Sequence, residues 1–384
     1  MHRSGRHFLQ IPGPTNVPDR ILRAMAQATI DHRSADFALL GREVLDGLKK
    51  VFRTTGPVVI FPASGSGAWE ASLVNTLSPG DKVLAFENGE FARLWGEVGQ
   101  RLGLEVELVL CDWRRGVDPQ VVESKLRADP DIKAVLVVHN ETSTGVTSRI
   151  PDIRAAMDAA NHDALLLVDA VSSLASIDLR HDDWRIDVTL AGSQKGLMLP
   201  PGLSFNAISE KALAASRAAR LARSYWSWQP MLASNQSGYF PYTPSTNLLY
   251  GLREALRMLS EEGLQNVFAR HCRLADAARA AVRGWGLEIA CERADEYSSV
   301  VTTVMMPDGH DSDTLRAVAA ERFNLSLGAG LGRLKSKAFR IGHLGDFNEL
   351  MLAGTLAGVE MTLIAADVPF RPGGVDAAIE LLAR

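Results

Sequence analysis

Cysteine is scarce: Cys111, Cys272 and Cys291 are the only three in 384 residues. They are too far apart for a metal or redox motif, and their odd number excludes a fully paired disulfide framework. A cytoplasmic, reducing setting is the expectation from that usage. Long hydrophobic runs are missing too. None approaches the roughly 18 residues of a membrane span, so no transmembrane helix and no membrane partner are expected. The first residues, MHRSGRHFLQIPGP, lack an apolar stretch of signal-peptide length. A net charge of −4 without a like-charge tail gives no footprint for nucleic acid. Neither G-x-G-x-x-G nor G-x-x-x-x-G-K-[ST] occurs, which argues against a nicotinamide-binding dehydrogenase and a P-loop enzyme. What remains is ordinary globular composition, 46% hydrophobic and 22% charged, on a chain long enough for more than one domain.

The segment from Leu165 to Gly196 organises the rest. Its apolar run Leu165–Val168 leads straight into Asp169, and a second run, Val188–Ala191, delivers Gly192-Ser193-Gln194-Lys195. Continuous apolar runs of this length suit strands buried on both faces of a parallel sheet. Ligands bind beyond the carboxyl ends of such strands, where Asp169 and Lys195 would both lie. Burying either charge alone is costly, so each needs a partner. A pyridine-type cofactor would serve both, with its ring nitrogen on the acid and its aldehyde on the amine. A structural Asp and a surface Lys would look the same in isolation.

Around this segment the pattern alternates strand and helix. Residues 1–20 read as an irregular arm, since IPGPTNVP (Ile11–Pro18) holds three prolines and a glycine. Asp31-His32-Arg33-Ser34 is a polar cluster that reads either as a solvated loop or as a substrate-pocket wall. The spacing of Phe37, Leu40, Val44 and Leu48 predicts a helix over 36–50. Strand, Gly-rich turn and helix follow in VVIFPASGSGAWE, where Ser64, Gly65, Ser66 and Gly67 bring backbone N–H groups to a helix N-terminus suited to an anion. A plain tight turn fits those residues equally well. Strands are predicted at 82–86, 134–138 and 203–208, and helices over 91–102 and in the unit leading to 138. The aromatic stretch 224–245 reads as a loop that either fills core or closes over a ligand or a neighbouring subunit.

Two helices, to Gly263 and then 264–285, lead to a change of grammar. Beyond it come a β-branched strand at 299–306, a helix over 311–322, the strand-like AFRIGHLG at 338–345 and a last amphipathic helix over 350–364. The expected organisation is an arm (1–20), a large α/β domain with a mostly parallel central sheet (21–255) and a smaller C-terminal α+β domain (256–384). Arg340, inside an apolar strand, must find an anion or snorkel out. Its planar fork suits a substrate carboxylate, although a structural salt bridge fits as well.

Taken in order, IPGPTNVP, DHRS, FPASGSGAWE, HNETSTGV, VDAVSS, AGSQKGLMLPPG, FPYTPS and FRIGHLG resemble the class V, fold-type I pyridoxal 5'-phosphate (PLP) aminotransferases, specifically the serine–glyoxylate and alanine–glyoxylate group. The likeness spans nearly the whole chain. It implies Lys195 as the lysine that condenses with PLP and Asp169 as the acid on the pyridine nitrogen. It implies Ser66, Gly67 and Ala68 as the phosphate turn, with Gln194 as a further phosphate contact. Ala68 stands where alanine–glyoxylate members carry histidine, so only its backbone could donate. Phe91 corresponds to the aromatic that stacks on the ring, and Thr142 to the hydroxyl on its phenolic oxygen. Thr243, with Tyr242, corresponds to a loop reaching the neighbouring subunit's phosphate, which implies a homodimer with shared sites. Arg340 corresponds to the arginine on the substrate α-carboxylate.

The activity implied is transamination from a small L-amino acid, with serine favoured and aspartate or alanine as alternatives, to glyoxylate. Aspartate needs a second cation, for which Arg33 is the candidate. A cysteine desulfurase would need a mobile catalytic cysteine, and no cysteine lies in an obvious Gly/Ser loop. A PLP-binding sensor module would need a DNA-binding segment, for which there is no room before IPGP.

Overall fold

The computed structural model describes residues 5–383. A seven-stranded sheet forms its centre, in the order Val58–Phe61, Ser204–Ile208, Val188–Gly192, Leu165–Asp169, Ile132–Val138, Lys82–Glu87, Glu105–Leu110. Ser204–Ile208 runs antiparallel to both of its neighbours, and every other pairing is parallel. This is the mostly parallel α/β fold expected, with one reversal. The short GLMLPPGL turn returns the chain beside the strand it has just left, which allows only an antiparallel neighbour.

Side-chain alternation along Leu165–Asp169 shows why both faces must be covered. Leu165 and Leu167 pack with the helices Gly65–Thr76 and Glu90–Arg101, whereas Leu166 and Val168 pack with Pro119–Ala128 and Ile150–Ala159. Each such aliphatic side chain contributes about 1.5–3 kcal/mol when fully buried. Because every residue of this strand is buried, only its carboxyl end is free to present chemistry.

A second sheet of five strands has the order Phe8–Gln10, Leu325–Ala329, Ala338–Gly342, Val301–Met305, Glu288–Ile289. Within the arm expected over 1–20, two short stretches are regular. Phe8–Gln10 pairs in parallel with Leu325–Ala329, and a helix begins at Asp19. Its three residues carry no alternation a reader of the sequence could use, because the partner strand is over 300 positions away. Leu325–Ala329, Glu105–Leu110 and a terminal helix, Gly374–Leu382, were also not read from the pattern. The helix over 350–364 (Glu349–Ala365) is therefore not the last. The aromatic stretch 224–245 contains a helix, Trp228–Asn235, rather than loop throughout. Buried Asn75 staples it down, donating to Trp226 O (2.7 Å) and accepting from Trp228 N (3.0 Å). Among the described residues no helix is long and apolar enough to cross a membrane, and no His/Cys/Asp/Glu cluster is arranged to hold a metal.

Candidate active site

Asp169 ends its strand, buried, with both carboxylate oxygens engaged. The indole N–H of Trp69 donates to Oδ2 (2.6 Å) and the backbone N–H of Val171 to Oδ1 (2.7 Å). Burial pushes its pKa up to about 6; the two donors and the Lys195 ammonium pull it down, and the Glu141 carboxylate opposes them. Lys195 follows the neighbouring strand Val188–Gly192. Its ammonium donates to the carbonyl of Pro12, and Thr15 Oγ1 donates to its carbonyl (3.3 Å). Burial, then the Arg340 guanidinium, bring the Lys195 pKa down to about 8, against the pull of Asp169 and Glu141. The arm therefore crosses the site, which proline and glycine content alone did not reveal. Gly13, at φ +92°, has no side chain to spare: a Cβ there would lie 2.8 Å from Lys195 Nζ.

Between the two residues lies a cavity of about 250 Å³ lined by Ser64, Gly65, Ser66, Trp69, Phe91, Asn140, Thr142, Asp169, Gln194, Lys195 and their neighbours. Ser66, Phe91, Thr142, Asp169, Gln194 and Lys195 thus share one space, below the ~300 Å³ where drug-sized pockets begin. Ser66 opens the helix Gly65–Thr76, which is buried through most of its length. That burial is tolerable because its polar side chains return to its own carbonyls: Ser72 to Trp69 O, Asn75 to Ala71 O and Thr76 to Ser72 O, each 2.7 Å.

At the start of this helix the N–H groups of Gly67 and Ala68 are already taken by Ser64 O, at 3.0 and 3.3 Å. Backbone donation from Ala68 to an anion therefore conflicts with the turn. The amides of Gly65 and Ser66, by contrast, have no protein acceptor among the described residues. Gln194 Oε1 is buried without a partner, an acceptor left open to a donor group.

Arg340 lies outside that lining but adjoins it. Its Nε donates to Ala329 O (2.7 Å) and its Nη1 to Thr142 O (2.9 Å), while Nη2 has no protein partner among the described residues. Burial brings its pKa down to about 10, and Glu141 opposes the fall. Glu141 itself is a buried acid that sequence reading passed over within HNETSTGV. It accepts from Ser143 N (3.0 Å), Ser143 Oγ (2.7 Å) and Ala92 N (3.0 Å), tying the turn bearing Thr142 to the helix bearing Phe91. Tyr242 and Thr243 do not line this cavity. Tyr242 stacks on Tyr225 (4.3 Å between centroids) and donates to Tyr225 O (3.2 Å), and Thr243 is exposed. Arg33 occupies an exposed turn, its N–H on Asp31 Oδ1 (2.9 Å), away from the cavity lining.

The family model for aminotransferase class-V matches residues 7–333. The chain belongs to that family. A serine–glyoxylate aminotransferase of Methylorubrum extorquens is 51% identical over 99% of this aminotransferase chain and 97% of its own. An L-aspartate–glyoxylate aminotransferase of Paracoccus denitrificans is 44% identical over 96% of this chain and 94% of its own. The crystal structure of a ureidoglycine–glyoxylate aminotransferase from Bacillus subtilis superposes with a TM-score of 0.93 at 27% identity, covering 100% of each chain. Class-V aminotransferases depend on PLP, and so does this enzyme. Its cavity fits that group: two unpaired backbone amides at a helix N-terminus suit a phosphate, with a buried acid and a buried amine in the same space.

Proposed function

We propose that this aminotransferase moves the amino group of a small L-amino acid, L-serine by preference, to glyoxylate, giving 3-hydroxypyruvate and glycine. The observation that carries the proposal is Asp169 and Lys195 lining one small cavity with a helix N-terminus. The 51% identity to a serine–glyoxylate enzyme supports the choice of donor. When bound, PLP supplies an aldehyde that takes the amino group and a cationic ring that accepts the electrons freed at Cα.

The protein's part is to hold and to move protons. Lys195 is the amine that meets the aldehyde. As a free amine it would carry the proton at the substrate Cα, as base and then as acid, a task eased by a pKa already brought down to about 8. Asp169 keeps the ring nitrogen protonated. Ser66, with the Gly65 amide and Gln194, would take the phosphate, while Gly67 and Ala68 shape that turn. Phe91, in the cavity lining, would cover one face of the ring, and the Thr142 hydroxyl would meet its phenolic oxygen. Arg340 offers Nη2 to the α-carboxylate.

Tyr242 and Thr243 act across a homodimer, on the phosphate of the partner subunit. The three unpaired thiols suit a reducing cytoplasm.

L-Aspartate is the second reading, favoured by the 44% identical relative; L-alanine would need no group beyond those serine uses. A buried second carboxylate would need a cation, and Arg33, the candidate, sits in an exposed turn. Mixing each amino acid with the PLP-loaded enzyme and timing the loss of its visible absorbance should show serine faster than aspartate, with Arg33→Ala changing neither rate more than about twofold. Faster conversion by aspartate, abolished in Arg33→Ala, would reverse the choice of donor.

A further inference from the structure

Trp69 belongs to a motif noted in the sequence, FPASGSGAWE, but no role was assigned to it there. In the structure it is 5% exposed, and its indole N–H gives the 2.6 Å bond to Asp169 Oδ2. The ring cannot easily turn away. It stacks on Trp95 (centroids 6.3 Å apart, planes at 16°) and leans on Phe91 (6.5 Å, 57°). Ser66 and Trp69 share one short helix, three residues apart, so the element that opens on the cavity with free amides also grips the acid.

We propose that Trp69 is the positioning residue of Asp169, its indole N–H fixing the carboxylate so that one edge stays aimed into the cofactor cavity. The proposal rests on the reading of Asp169 as the acid on the ring nitrogen. A neutral donor on an ionised carboxylate favours the charged form without consuming that charge, which a lysine or arginine in its place would do. Val171 N–H holds the other oxygen, so together the two donors leave the carboxylate little freedom to rotate. The charged groups that act on Asp169 are Glu141 and Lys195. His139 lies beside it through a backbone bond (His139 N to Asp169 O, 2.9 Å), but its ring is turned to Ser173 Oγ (2.9 Å) and burial holds it neutral. Trp69 is thus the side-chain hydrogen-bond donor to this acid among the described residues.

The test is PLP affinity of the apoenzyme as a function of pH, in the wild type, Trp69→Phe and a protein carrying 3-benzothienylalanine at position 69. The benzothienyl ring has the shape of indole with sulfur in place of N–H, so packing is retained and the fold with it. Both substitutions should weaken PLP binding at pH 7 by roughly tenfold or more, the scale of one hydrogen bond to a charged group. Both should also raise the pH below which affinity falls by about one unit, because Asp169 then needs a higher pH to ionise. Wild-type affinity and an unmoved pH profile with benzothienylalanine would overturn the proposal, leaving Trp69 a packing residue. Asp169→Asn separates the two readings. If it abolishes that limb of the profile while position 69 has no effect, only the role of Trp69 fails. If Asp169→Asn leaves the limb unchanged, the reading of Asp169 fails as well.

Discussion

Asp169→Asn, saturated with PLP, should lose kcat by three to four powers of ten. Asparagine fills the same space and its one oxygen can still accept from Trp69, so the cavity keeps its shape while the affinity that the charge supplies is lost. What it lacks is charge. Two opposite unit charges in hydrogen-bonding contact, at an effective dielectric near 20, attract by about 5 kcal/mol, and every 1.4 kcal/mol is tenfold in rate. Without that charge the ring loses its proton and with it the capacity to take up the electrons freed at Cα. The native carboxyl is already pushed up to about 6 by burial, so the protein expends two hydrogen bonds and a nearby ammonium to keep it ionised. Steady-state kinetics beside a cofactor absorbance spectrum is the check. An unchanged kcat in Asp169→Asn would remove the acid from the mechanism.

Arg340→Ala should weaken every amino donor and every keto acceptor together, by about 2–5 kcal/mol in kcat/KM, while the cofactor spectrum stays near normal. The α-carboxylate is the one feature all these substrates share, so a uniform loss identifies its binder. The guanidinium is 7% exposed, and two of its nitrogens are committed to the carbonyls of Ala329 and Thr142. Those bonds orient the fork without neutralising it, leaving Nη2 for an anion. Arg340→Lys keeps a charge but not the fork, and should recover only part of the loss. A loss confined to one donor would mean that Arg340 reads the substrate's side chain instead.

Much of this site was legible because its residues sit at the ends of elements whose patterns are strong. Leu165–Val168 is a buried parallel strand by composition, so the place of Asp169 at its carboxyl edge followed directly. Lys195 followed in the same way from Val188–Ala191. Other features depend on chain segments meeting from far apart, and these were not legible. The strand Phe8–Gln10 exists because Leu325–Ala329 offers it an edge, and that edge in turn fixes the course of Ile11 to Thr15 across Lys195. Glu141 looked like one polar residue among several, and only the fold turns its carboxylate toward Ala92 and Ser143. Trp69 carried no assigned role in its motif; the ring's orientation comes with the Trp95 stack, a contact no spacing rule predicts. The assignment of phosphate amides shifted for a local reason. Ser64 O closes the first turn onto Gly67 and Ala68, so the free donors are the two residues before them.

Everything in the account turns on which lysine holds the cofactor. Lys335 and Lys337, near Arg340 in sequence, are the competitors the chain offers. Lys195 is buried in the cavity with its pKa brought down to about 8, which leaves a useful share of free amine near neutral pH. Reducing the PLP-loaded enzyme with borohydride, digesting it and mapping the pyridoxyl group by mass spectrometry puts the question directly. The label should fall on the peptide containing Ala191-Gly192-Ser193-Gln194-Lys195, and be absent from Lys195→Ala. A pyridoxyl group on any other lysine, or undiminished labelling of Lys195→Ala, would contradict the assignment.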